Sequence, residues 1–586
     1  MKRTMCFALS AGVLLGWAWS AGAESSAEYP PLAVEGGFEN AQIHATTVQD
    51  ATSATPTVII GGELVDLKGQ TVPCRHPHKY RHFHFRLSNI AGRTVQFRYG
   101  PLRGAPPQVE SLTTPVAYYD AAHRQYELIE NIALERLSLG APPEDVDPAD
   151  KKKLTPEAYQ AVVVKFAHRF RQDAAYVCQS FPFTNDDARG LADEAAKRAC
   201  ARAVEIGKSH LDKLPIYQVI VTDPDVPDGG KKGIWFFAAE DPWEFPGMIA
   251  TAGAARWAMS DDPLAARFRR KFVLSAIPVV QPDAVHRGWT NYATDAGYTD
   301  FLNFSRTYDR PGVPEHDLMR AALKKWKDDG RPLDYGESLH SSLHWGAMMR
   351  LDCGDPEQGK RLVDDVIRKK WLPWFNYQGT KKEYADLAER TGFAAAVRQL
   401  YPAALYYSSH TEQILMSVPD LPGFPQAPFP AWDKKDWTAE DTRNMRAQMI
   451  PHQQPELEDF GAYKLLAFME FCGERLEAGE LRPQLMCGDV DTYASQDGER
   501  RAFTVLYRDV LGRAPRSVKL ALADGREREM EQDCGTSARH AIRFKATVPV
   551  EKGKSYDFHF TATNGETSVR YPPQGEFLGP YVPVEK

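Results

Sequence analysis

The sequence predicts a multidomain chain. A central α/β unit is flanked by an N-terminal β domain and a C-terminal immunoglobulin-like β-sandwich. Three observations lead there. The 586 residues are more than one hydrophobic core supports. The hydrophobic period changes twice: two-residue alternation over about 24–135, strands interleaved with helical segments over about 155–480, and alternation again over about 489–586. Between the first two regions lies "APPEDVDPADKKKLTPEAY", whose proline and charge content is that of a linker.

Taken in order, the chain opens with Lys2 and Arg3, an apolar run from Met5 to Trp19, and Ala21-Gly22-Ala23. That is the form of a secretory signal peptide over 1–23, with cleavage near Ala23 and a mature start near Glu24. The run is short for a membrane span, and no later stretch is long and apolar enough, so the expectation is a secreted or periplasmic protein without stable membrane insertion. "TVIIGGELVDL", "HFHFRLSNI" and "TVQFRYG" alternate apolar and polar residues between Gly and Asn turns, as strands do. "DDARGLADEAAKRACARAVEIG" reads as helix, and "IYQVIVTD", "GIWFFAAE" and "KFVLSAIPVV" read as short buried strands. Strands alternating with helices imply an α/β sheet. "VPDLPGFPQAPFPAW" is a proline-rich loop, with helical sequence after it to about Glu480. "RAFTVLYRDVLG", "SVKLALADG", "AIRFKATVPV" and "SYDFHFTATNG" are evenly spaced strands with Gly and Asn turns, which indicates a small sandwich.

Apolar and aromatic fractions of 43% and 11% are those of an ordinary globular protein. A net charge of -7 argues against nucleic acid or anionic lipid as the main partner. Cys6 leaves with the signal segment. The seven other cysteines form no closely spaced pairs of the kind a zinc finger needs, although an oxidising compartment would allow some to bridge.

The central region carries the chemistry. In "FFAAEDPWEFPG" an apolar strand runs out at Asp241, and Glu244 follows three residues later, a spacing at which two side chains on a turn converge. "LDYGESLHSSLHWG" places His340, with His344 close by, at the end of another apolar stretch, and "ALYYSSHTEQILMSV" does the same for Glu412. Strand ends are where open α/β sheets build sites. Each residue also has a structural reading. Asp241 precedes Pro242 in a common turn pair, Glu244 suits a helix start, His340 or His344 could be a satisfied core histidine, and Glu412 could pair with a cation. The tract "CRHPHKYRHFHF" holds His76, His78, His82 and His84; it resembles a metal-binding cluster, while strand alternation would put some of its members on a solvated face.

In order and spacing these segments resemble the zinc carboxypeptidase family, in particular its cytosolic-carboxypeptidase-like branch, over roughly residues 40–420. "DPWEFPG" matches His-Pro-x-Glu-x-x-Gly with Asp241 at the histidine position. "IPVVQPDAVHRG" matches the Asn-Pro-Asp-Gly segment with Gln281 and Ala284 substituted. "GYTDFLNFSR" loosely matches Gly-x-Asp-Leu-Asn-Arg. The resemblance implies one zinc ion on Asp241, Glu244 and His340, with Glu412 as the catalytic base. It implies Asn303 and Arg306 on the substrate and a peptide or amide bond as the target. The chain diverges at the first zinc ligand. Two carboxylates and one imidazole leave a zinc site formally neutral, a weaker Lewis acid than the family's positively charged one. Arg306 is displaced from the family's arginine position, which matters because an arginine fork is the natural partner of a substrate carboxylate. Two functions follow: a metal-dependent hydrolase, or a catalytically inactive secreted binding protein that uses the same cleft.

Overall fold

The structure, a computed structural model, describes residues 29–579 apart from 40, 42–45, 62–81, 104–114, 122–123, 130–132, 139–159, 290–312, 343–347, 374, 378–392, 413, 416–449, 452, 492–499 and 552–553. The expected signal segment 1–23 and its cleavage site lie outside the described residues, as do Asn303, Arg306 and His344. No helix among the described residues is long and apolar enough to cross a membrane.

An eight-stranded mixed sheet forms the centre. Its strands in chain order are β1 Ala201–Lys208, β2 Pro215–Val221, β3 Lys232–Ala238, β4 Phe272–Ile277, β5 Tyr335–Ser342, β6 Met348–Cys353, β7 Asn376–Tyr377 and β8 Leu405–Glu412. Spatially they run β1-β2-β4-β3-β5-β8-β6-β7. The four inner strands β4, β3, β5 and β8 are mutually parallel, β1 and β2 pair antiparallel with their neighbours, and β6 is antiparallel to β8 and parallel to β7. Both faces of the parallel part are covered, so β3 and β4 are near-continuous apolar runs and not alternating. In β3, Ile234 and Phe236 enter one core, and Trp235 and Phe237 enter the core on the opposite face. In β2, Val219 and Val221 divide from Ile216 and Ile220 in the same way.

The helices that matter for the site cover these faces: α1 Asn185–Ala196, α2 Phe245–Met259, α3 Pro263–Lys271, α4 Pro282–His286, α5 Pro314–Asp328 and α6 Gln454–Phe471. Helix α2 is buried along its length apart from Arg256 and Trp257. Its small residues let neighbours come close. A Cβ on Gly461 of α6 would lie 1.9 Å from the Ala250 carbonyl oxygen, and one on Gly247 would lie 2.2 Å from that of Leu339 in β5. The first turn of α2 is therefore seated directly against β5.

The segment expected as one helix from Asp186 to Gly207 divides in two. Helix α1 ends at Ala196, and Ala201–Lys208 is the edge strand β1. Ala201 and Ala203 pack toward one core and Val204 and Ile206 toward the other, an arrangement that only an extended chain gives.

Before the central sheet lie two five-stranded sheets with a shared core. One holds Ala33–Glu35, His84–Ser88, Ala174–Cys178, Val116–Tyr118 and Tyr126–Leu128; the other holds Thr47–Gln49, Thr57–Gly61, Thr94–Arg103, Gln160–Arg169 and Ala133–Ser138. Gln160–Arg169 and Ala174–Cys178, which the hydrophobic pattern assigns to the α/β region from about 155, pair into these two sheets. The apolar faces of the earlier strands need them as partners.

After α6 come two four-stranded antiparallel sheets, Gln484–Asp491 with Arg500–Arg508, Ala541–Pro549 and Glu531–Ser537, and Glu527–Glu529 with Ser517–Leu522, Phe558–Thr563 and Ser568–Tyr571. They enclose a common core that includes Phe503, Val518, Phe544 and Phe560. Arg508, fully buried, donates to the carbonyls of Trp371 (2.6 Å) and Lys370, which ties this unit to the central one. Cys178, Cys200, Cys353, Cys472, Cys487 and Cys534 are free thiols.

Candidate metal centre

The chain leaves β3 at Ala238 and turns sharply before α2. Ala239 takes the left-handed backbone conformation (φ 67°), which costs a residue with a Cβ about 1–3 kcal/mol. Gln281 holds the turn, because its Nε2 donates to the carbonyls of Ala239 (3.1 Å) and Glu240 (2.5 Å). The Glu244 amide then donates to the Asp241 carbonyl (3.0 Å), and the Gly247 amide to that of Glu244 (3.2 Å). This succession of tight turns brings Asp241 and Glu244 to one side, facing β5.

His340 of β5 meets them there. Its Nδ1 lies 2.8 Å from Glu244 Oε2 and 3.5 Å from Asp241 Oδ2. The donor atoms of Asp241, Glu244 and His340 all lie within 4.8 Å of one another. On the far side of the ring, Nε2 lies 3.1 Å from Glu240 Oε2 and 3.1 Å from Ser338 Oγ, and Ser338 also donates to Glu240. The Ser341 amide donates to Glu244 Oε2 (3.1 Å). Glu240, Glu244 and His340 are buried, and Asp241 is partly open.

The electrostatics follow from this crowding. Burial and the neighbouring Asp241 push the Glu244 carboxyl up to about 7, in spite of His340 and the Ser341 amide. Burial alone would lower His340. Glu244, with hydrogen bonds to Asp241, Glu240 and Glu244, outweighs it and holds the imidazole well above its ordinary value. A cation is what this arrangement of carboxylates calls for, and in its absence a proton on His340 serves.

These residues fit a divalent metal. One imidazole nitrogen and two carboxylates converge on a point, and ligand bonds of about 2.0–2.2 Å need only a small contraction of the group. The outer nitrogen of His340 is anchored by a carboxylate and a hydroxyl, the usual support of a ligating histidine. Glu412 ends β8, its backbone paired with Ser342, so it stands at the same strand-end edge two residues beyond the His340 and His410 pair. Its side chain, like Asn303 and Arg306, lies outside the description.

Sequence reasoning missed Glu240. The only signal was one more acid before Asp241-Pro242; its role depends on a ring nitrogen supplied by a strand far along the chain. Asp283, the acid of the second matched segment, points elsewhere. It accepts from the Leu211 amide (2.8 Å), the Asp212 amide (3.0 Å) and Ser209, which fixes the turn between β1 and β2.

No protein-family model and no curated protein matches this chain. Solved structures do match. A metallo-carboxypeptidase from Burkholderia cenocepacia aligns over 76% of this chain and 99% of its own length, with a TM-score of 0.52 at 15% identity. A protein assigned as a carboxypeptidase from Burkholderia mallei aligns over 75% and 96%, with a TM-score of 0.50 at 15% identity. One assigned as carboxypeptidase A from Shewanella denitrificans aligns over 75% and 98%, with a TM-score of 0.50 at 15% identity. The chain thus has the carboxypeptidase-like fold, with a mixed sheet and a three-donor cluster at the ends of its parallel strands.

Proposed function

We propose that this chain is a secreted or periplasmic, metal-dependent hydrolase of peptide or amide bonds, related to the cytosolic-carboxypeptidase-like branch and divergent at the first metal ligand. We read its three groups of sheets as three domains, with the chemistry in the central one. One observation carries the proposal: Asp241, Glu244 and His340 present their donor atoms within 4.8 Å of one another at the strand ends of this fold.

In this reading those three residues hold one zinc ion. The ion, when bound, supplies Lewis acidity toward the carbonyl of the scissile bond. Glu240 and Ser338 keep the His340 ring in the orientation that presents Nδ1. Glu412 takes the proton of the attacking water and passes it to the leaving amine, and Asn303 and Arg306 orient the substrate. Seven residues of the "DPWEFPG" segment thus supply two ligands and the Gly247 contact that seats them on β5.

A second reading is favoured by Asp241 itself. An aspartate in place of an imidazole leaves the bound ion less electrophilic, and the cleft would then serve a catalytically inactive binding protein. Metal analysis of the exported protein, with an Asp241→Ala control, tests metal binding. Hydrolysis of peptides with free and blocked C-termini tests activity. The hydrolase reading expects one equivalent of zinc at this cluster, the loss of that equivalent in the control, and turnover abolished by Glu412→Gln. Zinc without turnover favours the binding protein, and no metal in the wild type defeats both the site and the mechanism. Asp241→His is expected to tighten zinc binding and raise turnover.

A further inference from the structure

A second group of ligand-type side chains lies outside the site described above. His82, His84 and Cys178 bring their donor atoms within 4.8 Å of one another. All three are buried, at 3%, 1% and 0% exposure. The topology enforces their meeting. His82 and His84 are two apart in an extended segment and so share a face. In the antiparallel pairing of His84–Ser88 with Ala174–Cys178, Cys178 stands directly opposite His84, so its side chain emerges on that face too. The intervening Phe83 and the neighbouring Val177 point the other way, into the core between the two N-terminal sheets.

We propose that His82, His84 and Cys178 form a second, structural metal site for a thiophilic d10 cation, Zn2+ or Cu+. A thiolate with two imidazoles is a donor set that selects such ions over Mg2+, Ca2+ or Mn2+. His84 carries the outer support expected of a ligating ring: its Nε2 lies 2.7 Å from the Tyr118 hydroxyl. Phe38 packs edge-on against His84 at 4.9 Å and Tyr176 lies at 6.5 Å, so the site is enclosed by aromatic rings. Three donors in a dry shell suffice for a trigonal Cu+, while Zn2+ would need a fourth donor; the shell contrasts with the partly open Asp241 cluster.

The location gives the site a purpose. The His82 ring packs edge-on against Phe245 at 5.0 Å, and Phe245 is the first residue of α2, immediately after Glu244. An ion here would fasten two strands of the N-terminal sheet together and brace them against the start of the helix that positions the catalytic-type cluster.

The test uses the full chain, stripped with a chelator and reloaded with Co2+, whose bond to a thiolate gives a charge-transfer band in the near ultraviolet. The wild type is expected to show that band. Cys178→Ser should lose it together with one equivalent of metal, and His340→Ala should keep it, which separates this site from the Asp241 cluster. Reloading with Zn2+ and with Cu+ in parallel, followed by metal analysis, identifies the ion, and the rise of the thermal midpoint on loading should be smaller in Cys178→Ser than in the wild type. A wild-type cobalt form without the sulfur band, or equal metal content in the wild type and Cys178→Ser, overturns the proposal. The wild-type spectrum decides even if a variant fails to fold.

Discussion

Replacing Glu240 by glutamine changes one atom and removes one charge from behind His340. In the wild type, Glu240 Oε2 and Ser338 Oγ each lie 3.1 Å from His340 Nε2, and Ser338 also donates to Glu240. The carboxylate therefore does two things: it fixes the ring so that Nδ1 faces Asp241 and Glu244, and it raises the basicity of that nitrogen. Losing such an outer partner typically weakens metal binding about 10–100-fold. Ser338 remains in Glu240→Gln and still contacts the ring, so the loss should fall near the lower end, about 10-fold or ~1.4 kcal/mol. Glu240→Ala also leaves a cavity beside the ring, and its loss should approach about 100-fold. The assay is competition for Zn2+ against a chromogenic chelator, with circular dichroism to show that each variant is folded. If both folded variants bind zinc with wild-type affinity, His340 does not depend on Glu240, and the ligand orientation argued above is wrong.

The remaining predictions concern the frame around the site. Lys464 and Glu337 form a fully buried ion pair, with Ser409 accepting from Lys464 and donating to Glu337 (2.7 Å each). Lys464→Met strands the carboxylate and should cost about 3–5 kcal/mol in denaturant unfolding, most of it recovered by adding Glu337→Gln. Gly247→Ala places a methyl 2.2 Å from the Leu339 carbonyl oxygen, a backbone atom that cannot step aside. It should lower both the thermal midpoint and zinc affinity, and a variant with wild-type values for both would show that α2 is not seated on β5. Glu127 sets a pH dependence. Burial raises its carboxyl, but His168, Arg171 and Tyr119 more than offset this and hold it below the ordinary value. The stability it contributes is present above the unfolded-state value of about 4.3 and is lost as pH falls through the lower folded value. Glu127→Gln should therefore lower the thermal midpoint at pH 7 and flatten its fall toward acid, as calorimetry across that range would show.

How much of this was legible in the sequence depended on how local the cause was. The strands at Pro215–Val221, Lys232–Ala238 and Phe272–Ile277 lie where the apolar runs put them, because burial on both faces writes a continuous apolar segment. The edge strand Ala201–Lys208 carries a helical pattern because it follows α1 with the same alanine- and charge-rich composition; its extended form comes from pairing with β2. The early boundary at 155 had the same origin: Gln160–Arg169 is a strand whose partners, Thr94–Arg103 and Ala133–Ser138, precede it in the chain. At the site, spacing indicated Asp241 and Glu244 because one tight turn sets both. It could not indicate Glu240, whose role comes from a ring nitrogen 100 residues further on, nor Gln281, whose side chain holds a turn 41 residues before it.

If the proposed site holds a metal, the aspartate at 241 would change it less by removing a nitrogen ligand than by changing what competes for the remaining one. Three acidic side chains, Glu240, Asp241 and Glu244, crowd one imidazole. Without a metal they hold a proton on His340, and burial helps to keep one near Glu244 as well. A metal must displace the proton on the imidazole before it can use that nitrogen, so loading releases protons and weakens as pH falls. With histidine at position 241, one fewer carboxylate would favour that proton and one more nitrogen would reach the ion. In the proposed metal-binding reading, this arrangement would trade Lewis acidity for a pocket that favours a dication over no cation. That suits an ion held in place, while demanding that the substrate carbonyl be activated with less electrophilic help. Under the proposed hydrolase reading, turnover would then draw more on orientation by Glu240, Ser338 and the strand-end groups than on the charge of the metal.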